Sequence, residues 1–284
     1  MDFTGPLPPD RSRGPTLIIA SAVLHAVSLP VVAARIWTRS RPALRLWWDD
    51  YAILAAVAFD LINWILILLS VRYGLGRHSV HVPLEDQPQG RKLLFFCQQA
   101  SGWAIAFAKI SIALMLFRLR PDSRIWRVFL LGMMLLPVAI AVATSAVLFS
   151  ACKPLSAMWD FIPTAECLPF PVINQSILAT AVATIVTDFI LALLPLTFIV
   201  RIRITLSEKM LLFLLMGLGL VASAASICKI VSVTGSKMTG DTLRDSVDVT
   251  FWGMLEIQLG IIAACIPTLK RPTERVLQRL GYFT

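Results

Sequence analysis

Apolar positions run along the chain in seven blocks, near 15–36, 51–71, 93–117, 128–150, 172–200, 210–233 and 249–269. A span across roughly 30 Å of hydrocarbon needs about 20 such residues, and each block is long enough. Short polar segments rich in arginine, proline and glycine separate the blocks. The pattern predicts an all-α protein, a seven-transmembrane helix bundle that takes up residues 1–284 as a single membrane domain. The block at 172–200 exceeds one span and is expected to include an outer interfacial turn. The first block is followed by more arginines, not by a small-residue cleavage site, so it reads as a span and not as a cleaved leader. The short segment before it and the tail "KRPTERVLQRLGYFT" lead to the expectation that no extramembrane domain is present.

Composition agrees with the pattern: 57% of the residues are hydrophobic and 15% charged, too apolar for a soluble domain of this length. A net charge of +9 raises nucleic acid as a partner, and position argues against it. With Arg35 counted at the inner edge of block 1, the segments after blocks 1, 3, 5 and 7 carry fifteen basic residues, against nine in the N-terminal segment and the other three loops. The positive-inside rule then sets the N-terminus outside and the C-terminus cytosolic, although Arg72, Arg77, Arg91 and Lys92 crowd one outer loop. The partner this charge implies is membrane lipid. The plasma membrane is the leading site and an endomembrane the alternative.

That topology puts Cys97, Cys152 and Cys167 on the outer side, with Cys228 and Cys265 inside spans. Three outer cysteines allow one disulfide. Cys152 with Cys167 is favoured because it closes the only sizeable outer loop, and Cys97 with either is the rival.

Six ionisable side chains interrupt the apolar blocks: His25, Asp60, Lys109, Asp188, Lys229 and Glu256. A charge near the bilayer centre costs on the order of 3 kcal/mol on insertion scales, so these groups are expected to face the bundle interior, pair or become neutral. Lys109 and Asp188 lie at similar depth, roughly 13 Å from the inner ends of their spans, and are candidates for one layer. Lys229 and Glu256 form a second candidate pair. Asp60, near mid-membrane, is expected either to join Lys109 or to stay protonated through desolvation. Pairing alone would make these groups helix-to-helix fasteners. The functional reading is a polar pocket between spans 2, 3, 5, 6 and 7. His25, alone on an apolar face, reads as a satisfied helix contact.

Asp49 and Asp50 differ from Asp60 because they stand at the inner start of span 2. There Asp49 is expected to cap exposed amides, both carboxylates favour the helix dipole, and Arg35, Arg39 and Arg118 are within reach. This cluster is read as structural. His78 and His81, spaced H-x-x-H beside Glu85 and Asp86, lack a helix to fix their geometry, so no metal site is assigned.

The residues carrying these features resemble a known group over nearly the whole chain. They are "RIWTR" from Arg35, "WWDDYAILAA", "YGLGRH", "KISIALMLFR" from Lys109, Cys152-Lys153-Pro154 with Trp159 and Cys167, Asp188 with "LLPL", and Glu256 followed by "GIIAACIPTLKRP". In order and spacing they are similar to the fungal rhodopsin-domain integral membrane proteins, a family that includes receptor-like proteins of plant-pathogenic fungi and a membrane protein of the satratoxin mycotoxin cluster. The resemblance implies association with secondary metabolism and little defined biochemistry. Retinal is not expected as a cofactor, because residues 249–269 contain no lysine to form a Schiff base. "FRLRPDSR" after span 3 and "ACIPTLKRP" ending span 7 also lack the switch motifs of the common G-protein-coupled class. No cofactor is assigned.

The leading expectation is a sensor or accessory protein that binds a small apolar ligand or metabolite. A second is a membrane-embedded cyclase or isomerase of a terpenoid-like metabolite, in which a neutral Asp60, Asp188 or Glu256 donates a proton. A third is a transporter, for which the sequence offers neither inverted repeats nor broken helices.

Overall fold

A computed structural model describes residues 12–40, 46–117, 124–194, 206–239 and 241–279. Seven long helices account for most of them: α1 Gly14–Ser40, α2 Trp48–Arg72, α3 Asp86–Phe117, α4 Arg124–Phe149, α5 Phe170–Leu193, α6 Leu206–Thr239 and α7 Thr242–Arg279. All seven contain a stretch long and apolar enough to cross a membrane. Each helix packs on the next, and α7 closes the ring onto α1. Two helices also reach into the centre, α3 touching α5 and α7, and α7 touching α2. Half of the apolar window of α3 and of α7 is buried in protein, against 17–22% for α4, α5 and α6, whose faces belong mostly to lipid.

Two helix starts differ from the apolar pattern. Helix α3 begins seven residues before its apolar block, at Asp86, where a carboxylate in the first turn suits the positive end of the helix dipole. Those early residues are polar, so hydrophobicity alone does not find them. Helix α5 is already formed at Phe170, with proline in its first turn, and continues unbroken to Leu193. The interfacial turn expected inside the block at 172–200 is therefore absent from its described part. Pro195 and the rest of that block lie outside the described residues.

The interfacial structure comes before α5. Strands β1 Cys152–Lys153 and β2 Glu166–Cys167 pair antiparallel with Cys152 opposite Cys167, and a disulfide joins the two. Trp159 in the loop packs against Phe95 and Phe96 of α3, while Phe149 at the end of α4 meets Phe95 edge-on at 5.4 Å. Lys92 sits over the Trp159 ring at 5.7 Å. The hairpin is thus fastened to α3 by aromatic packing as well as to itself by covalent bonding.

On the same end of the bundle, the turn after α2 ties two helix starts together. Gly74 and Gly76 both take positive φ, 95° and 94°, which admits glycine and strains other residues. Gly76 accepts a hydrogen bond from Arg13 N at 2.9 Å and donates one to Leu243 O at 3.1 Å, joining the approach to α1 and the start of α7. His78 and His81 flank this region, and His78 does not act as half of an H-x-x-H pair. Its Nδ1 lies 2.7 Å from Asp241 Oδ2, and Ser79 N donates to Asp241 Oδ1 at 3.0 Å. Burial would push the Asp241 carboxyl up, but the Ser79 hydroxyl, the Ser79 amide and His78 outweigh it and hold the carboxyl below its ordinary value.

Two outcomes follow. A Cβ on residue 76 would lie 2.6 Å from Gly14 N in addition to the φ strain, whereas one on Gly132 meets nothing within 4 Å. Gly76→Ala is expected to cost about 2 kcal/mol or more, and Gly132→Ala to leave the melting temperature unchanged or raised. Thermal unfolding in nanodiscs measures both. Because the Asp241 carboxyl is depressed on folding, its stabilisation is fully present above the ordinary carboxylate value and is lost as pH falls through the depressed one. The stability gap between wild type and Asp241→Asn should accordingly be largest near neutrality and close under acid.

Candidate functional site

Polar groups inside the bundle fall into three clusters, and α7 organises two of them. At about 100° per residue, Glu256 and Gln258 point to nearly opposite sides of that helix. Gln258 faces α1 and α2, while Glu256 faces α6.

On the α1–α2 side, His25, Asp60 and Gln258 are all at most 1% exposed. His25 Nδ1 lies 2.8 Å from Ser21 O, a carbonyl that can only accept, so Nδ1 carries a proton. His25 Nε2 is 3.1 Å from Asp60 Oδ2, which also receives the Gln258 amide at 2.9 Å. The Gln258 amide nitrogen is also 3.1 Å from His25 Nε2, so one amide bridges the imidazole and the carboxyl. Trp64 completes the site by stacking on His25 at 4.2 Å and donating its Nε1–H to Ser21 Oγ at 3.1 Å. This corrects the expectation for Asp60, which neither joins Lys109 nor stands without a basic partner. It also makes His25 more than a helix contact. Trp64 and Gln258 were missed because neutral residues within an apolar block raise no charge to be explained.

On the other side, four charges form a neutral quartet. Lys109 of α3 places Nζ 3.0 Å from Asp188 Oδ1, 2.8 Å from Thr187 Oγ1 and 3.1 Å from Thr184 O, so all three of its protons are used. Thr187 had no charge to draw attention, yet it fixes the lysine. Lys229 of α6 donates to Glu256 Oε2 at 2.9 Å, and Ser226 of α6 reaches Asp188 Oδ2 at 3.5 Å. The two ion pairs thereby connect α3 with α5 and α6 with α7.

The quartet separates two spaces of unequal size. A cavity of about 630 Å³ lies between α3, α4, α5, α6 and α7, with Asn63 of α2 at its edge. Its lining mixes apolar side chains such as Pro137, Ile140 and Met254 with hydroxyls and amides, among them Gln98, Ser101 and Thr144. Lys109 and Lys229 line it, and Asp188 and Glu256 do not. Those two acids instead face a pocket of about 60 Å³, walled by aliphatic residues and Lys109. The quartet has no net charge, but it turns its positive side to the large cavity.

The third cluster closes the opposite end of the bundle. Arg35 is fully buried; its Nη2 meets Asp49 Oδ2 at 2.6 Å, its Nε meets Asp50 Oδ1 at 2.9 Å, and Nη1 donates to the Ala264 carbonyl. Arg39 meets Asp49 at 2.8 Å and Asp50 at 2.6 Å. Two arginines against two aspartates leave no net charge. Asp50, not Asp49, reaches back to the helix start, accepting from Trp47 N at 3.1 Å. It occupies the third helical position, from which a side chain can return to the capping residue. Arg118, expected in this cluster, lies outside the described residues.

Residues 34–275 match the model of the Fungal rhodopsin domain. The chain is 27% identical to a SAT4 family membrane protein of Emericella nidulans over 84% of its own length and 58% of that protein. It is 24% identical to the Fugralins biosynthesis cluster protein 2 of Gibberella zeae over 68% of its length and 49% of that protein. With the Polyenoic acids biosynthesis gene cluster protein Ba17b of Metarhizium anisopliae it shares 25% identity, over 93% of the chain and 75% of the relative. The chain thus spans about half the length of the first two relatives. No solved structure matches.

The arginine cluster generates a prediction. Arg35→Met leaves two buried aspartates to Arg39 alone, with one negative charge uncompensated, and should destabilise the protein by about 3–5 kcal/mol. Arg35→Lys keeps the charge but cannot reach Asp49, Asp50 and the Ala264 carbonyl together, so it should restore only a minor part. Yield of monodisperse protein by size exclusion and melting temperature provide the readout.

Proposed function

The chain belongs to the fungal rhodopsin domain family, and we propose that it serves a secondary-metabolite pathway as a membrane sensor or accessory protein that holds a small, largely apolar molecule. The carrying observation is the cavity of about 630 Å³ with mixed lining. Its volume falls in the range of small-molecule sites, and a few placed polar groups on an otherwise apolar wall are the usual means of orienting such a ligand. The names of two relatives, each a protein of a biosynthesis cluster, support the link to secondary metabolism. The disulfide at the hairpin end supports that end facing an oxidising compartment, with the arginine cluster in the cytosol.

The enzyme alternative draws less support. An acid catalyst needs a neutral carboxyl exposed to the substrate, yet Asp60, Asp188 and Glu256 each have a basic partner within 3.1 Å. The two acids of the quartet also face the small pocket, which has no room for a metabolite.

The test uses Gly102, which lines the cavity and where an added Cβ meets nothing within 4 Å. Gly102→Phe should fold with an unchanged melting temperature while reducing the free volume. Wild-type and variant protein in nanodiscs are incubated with an organic extract of a producing culture, and retained molecules are identified by mass spectrometry. The wild type is expected to retain a compound that raises its melting temperature and that the variant does not hold. Equal retention by both would overturn the cavity as the site.

A further inference from the structure

We propose that the cavity takes an amphipathic carboxylic acid, whose carboxylate docks on Lys229 and Ser101 beside Gly253. The proposal rests on the cavity being the ligand site and adds the chemistry of the ligand.

Three observations converge on one corner. First, the two cationic members of the quartet line the cavity and their two acids do not, so the wall presents positive charge to whatever enters. Second, the lysines differ in what they have left to give. Lys109 spends its three protons on Thr184, Thr187 and Asp188, whereas the described partner of Lys229 is Glu256 Oε2 alone. Lys229 retains two N–H donors on a side chain 22% exposed within the bundle. Third, Gly253 opens space beside it. A Cβ at that position would lie 3.7 Å from Lys229 Cδ and 3.9 Å from Ser101 Oγ, so the glycine leaves a gap that both residues border. Among the described residues Ser101 has no protein hydrogen-bond partner, which leaves its hydroxyl as a second donor to the same gap.

An ammonium and a hydroxyl bordering one gap suit a carboxylate better than a ketone or an alcohol, because charge-assisted hydrogen bonds are shorter and about twice as strong as neutral ones. The acid lining the same cavity, Asp245, stands eight residues before Gly253 on α7, about 12 Å along the axis, and does not compete at the corner. The apolar wall of α4, with Pro137, Ile140 and Ala141, receives the remainder of the molecule.

Charge balance decides the form in which the ligand enters. A carboxylate added to a neutral quartet would leave one unpaired negative charge in a low-dielectric interior, at high cost. The acid therefore enters protonated from the bilayer. Its O–H bond breaks and the proton passes to Lys229 Nζ, Lys229 gives the proton of its 2.9 Å hydrogen bond to Glu256 Oε2 so that an O–H bond forms there, and the new carboxylate takes the place of Glu256 as the counter-ion of Lys229. No net charge moves into the membrane, and no proton is exchanged with water.

This exchange gives substitutions opposite signs. The probes are cis-parinaric acid, a fluorescent polyene fatty acid, and its methyl ester, read by energy transfer from tryptophan, since Trp103 lines the cavity. Protein is in nanodiscs and the signal of protein-free nanodiscs is subtracted. Wild type should bind the acid about tenfold or more tightly than the ester. Lys229→Met should bring the acid down to the ester. Glu256→Gln, which removes the competing carboxylate, should strengthen the acid further and leave the ester unchanged. If Lys229→Met does not fold, the neutral double variant Lys229→Met/Glu256→Gln reads the same loss of discrimination. Equal affinities in wild type, both abolished by Gly102→Phe, would overturn the head-group assignment and leave the cavity as a site without charge preference. A Glu256→Gln protein that binds the acid more weakly would overturn the exchange. Failure of the acid to bind at all would also overturn the assignment, while the extract experiment still decides independently whether the cavity is a site.

Discussion

An ionised side chain in hydrocarbon has no water to solvate it, and that penalty organises this bundle. The charged and histidine side chains of the three interior clusters each lie against a partner on another helix. Arg35 and Arg39 of α1 hold the two aspartates of α2; Asp60 of α2 meets His25 of α1; Lys109 of α3 meets Asp188 of α5; Lys229 of α6 meets Glu256 of α7. The apolar surfaces between helices gain little by leaving lipid for protein, since both are hydrocarbon. Polar closures therefore select which helix lies next to which. The arginine cluster and the quartet do so with equal numbers of acids and bases, so neither needs an ion from outside.

Helix α7 is where these closures meet. Its carboxylate at 256 and its amide at 258 serve clusters on opposite sides, and its Ala264 carbonyl takes a third contact from Arg35. Below Glu256, Ile257, Ile261, Ala264 and Cys265 fill the space against α1, α2 and α3. Half of the apolar window of α7 is buried, as expected of a helix that is hemmed in by protein and not by lipid. The position of α7 is set by three polar clusters at three heights, with apolar packing between them.

The seven spans are legible in the sequence because bilayer thickness forces a continuous apolar run of fixed minimum length, which no loop imitates. Depth along a helix was also enough to bring Lys109 together with Asp188, and Lys229 with Glu256, since pairing in hydrocarbon needs matching heights. The partner of Asp60 was not legible. Lysines were the cations in view, and a histidine reads as neutral until a carboxyl is placed against it. Gln258, Trp64, Ser101 and Thr187 escaped for a related reason: an uncharged polar side chain costs little to insert and leaves no trace in hydropathy. The start of α3 at Asp86 and the hairpin before α5 depend on polar or short segments, where hydrophobic periodicity carries no information. The cavity itself is set by which helices stand apart, and no local pattern in the chain encodes that separation.

The uneven burial of the helices divides the protein into a closed half and an open one. Helices α1, α2, α3 and α7 share the arginine cluster, the histidine couple and the densest apolar packing, while α4 and α5 line the cavity and otherwise face lipid. A change of side chain on the cavity wall of α4 or α5, Thr187 with its hold on Lys109 excepted, is felt by the occupant and by few residues of the scaffold. The same change on α7 or α1 would disturb a neutral cluster and with it the register of neighbouring helices. Ligand preference can consequently drift between related proteins by substitution on two helices, with the architecture that holds them left untouched.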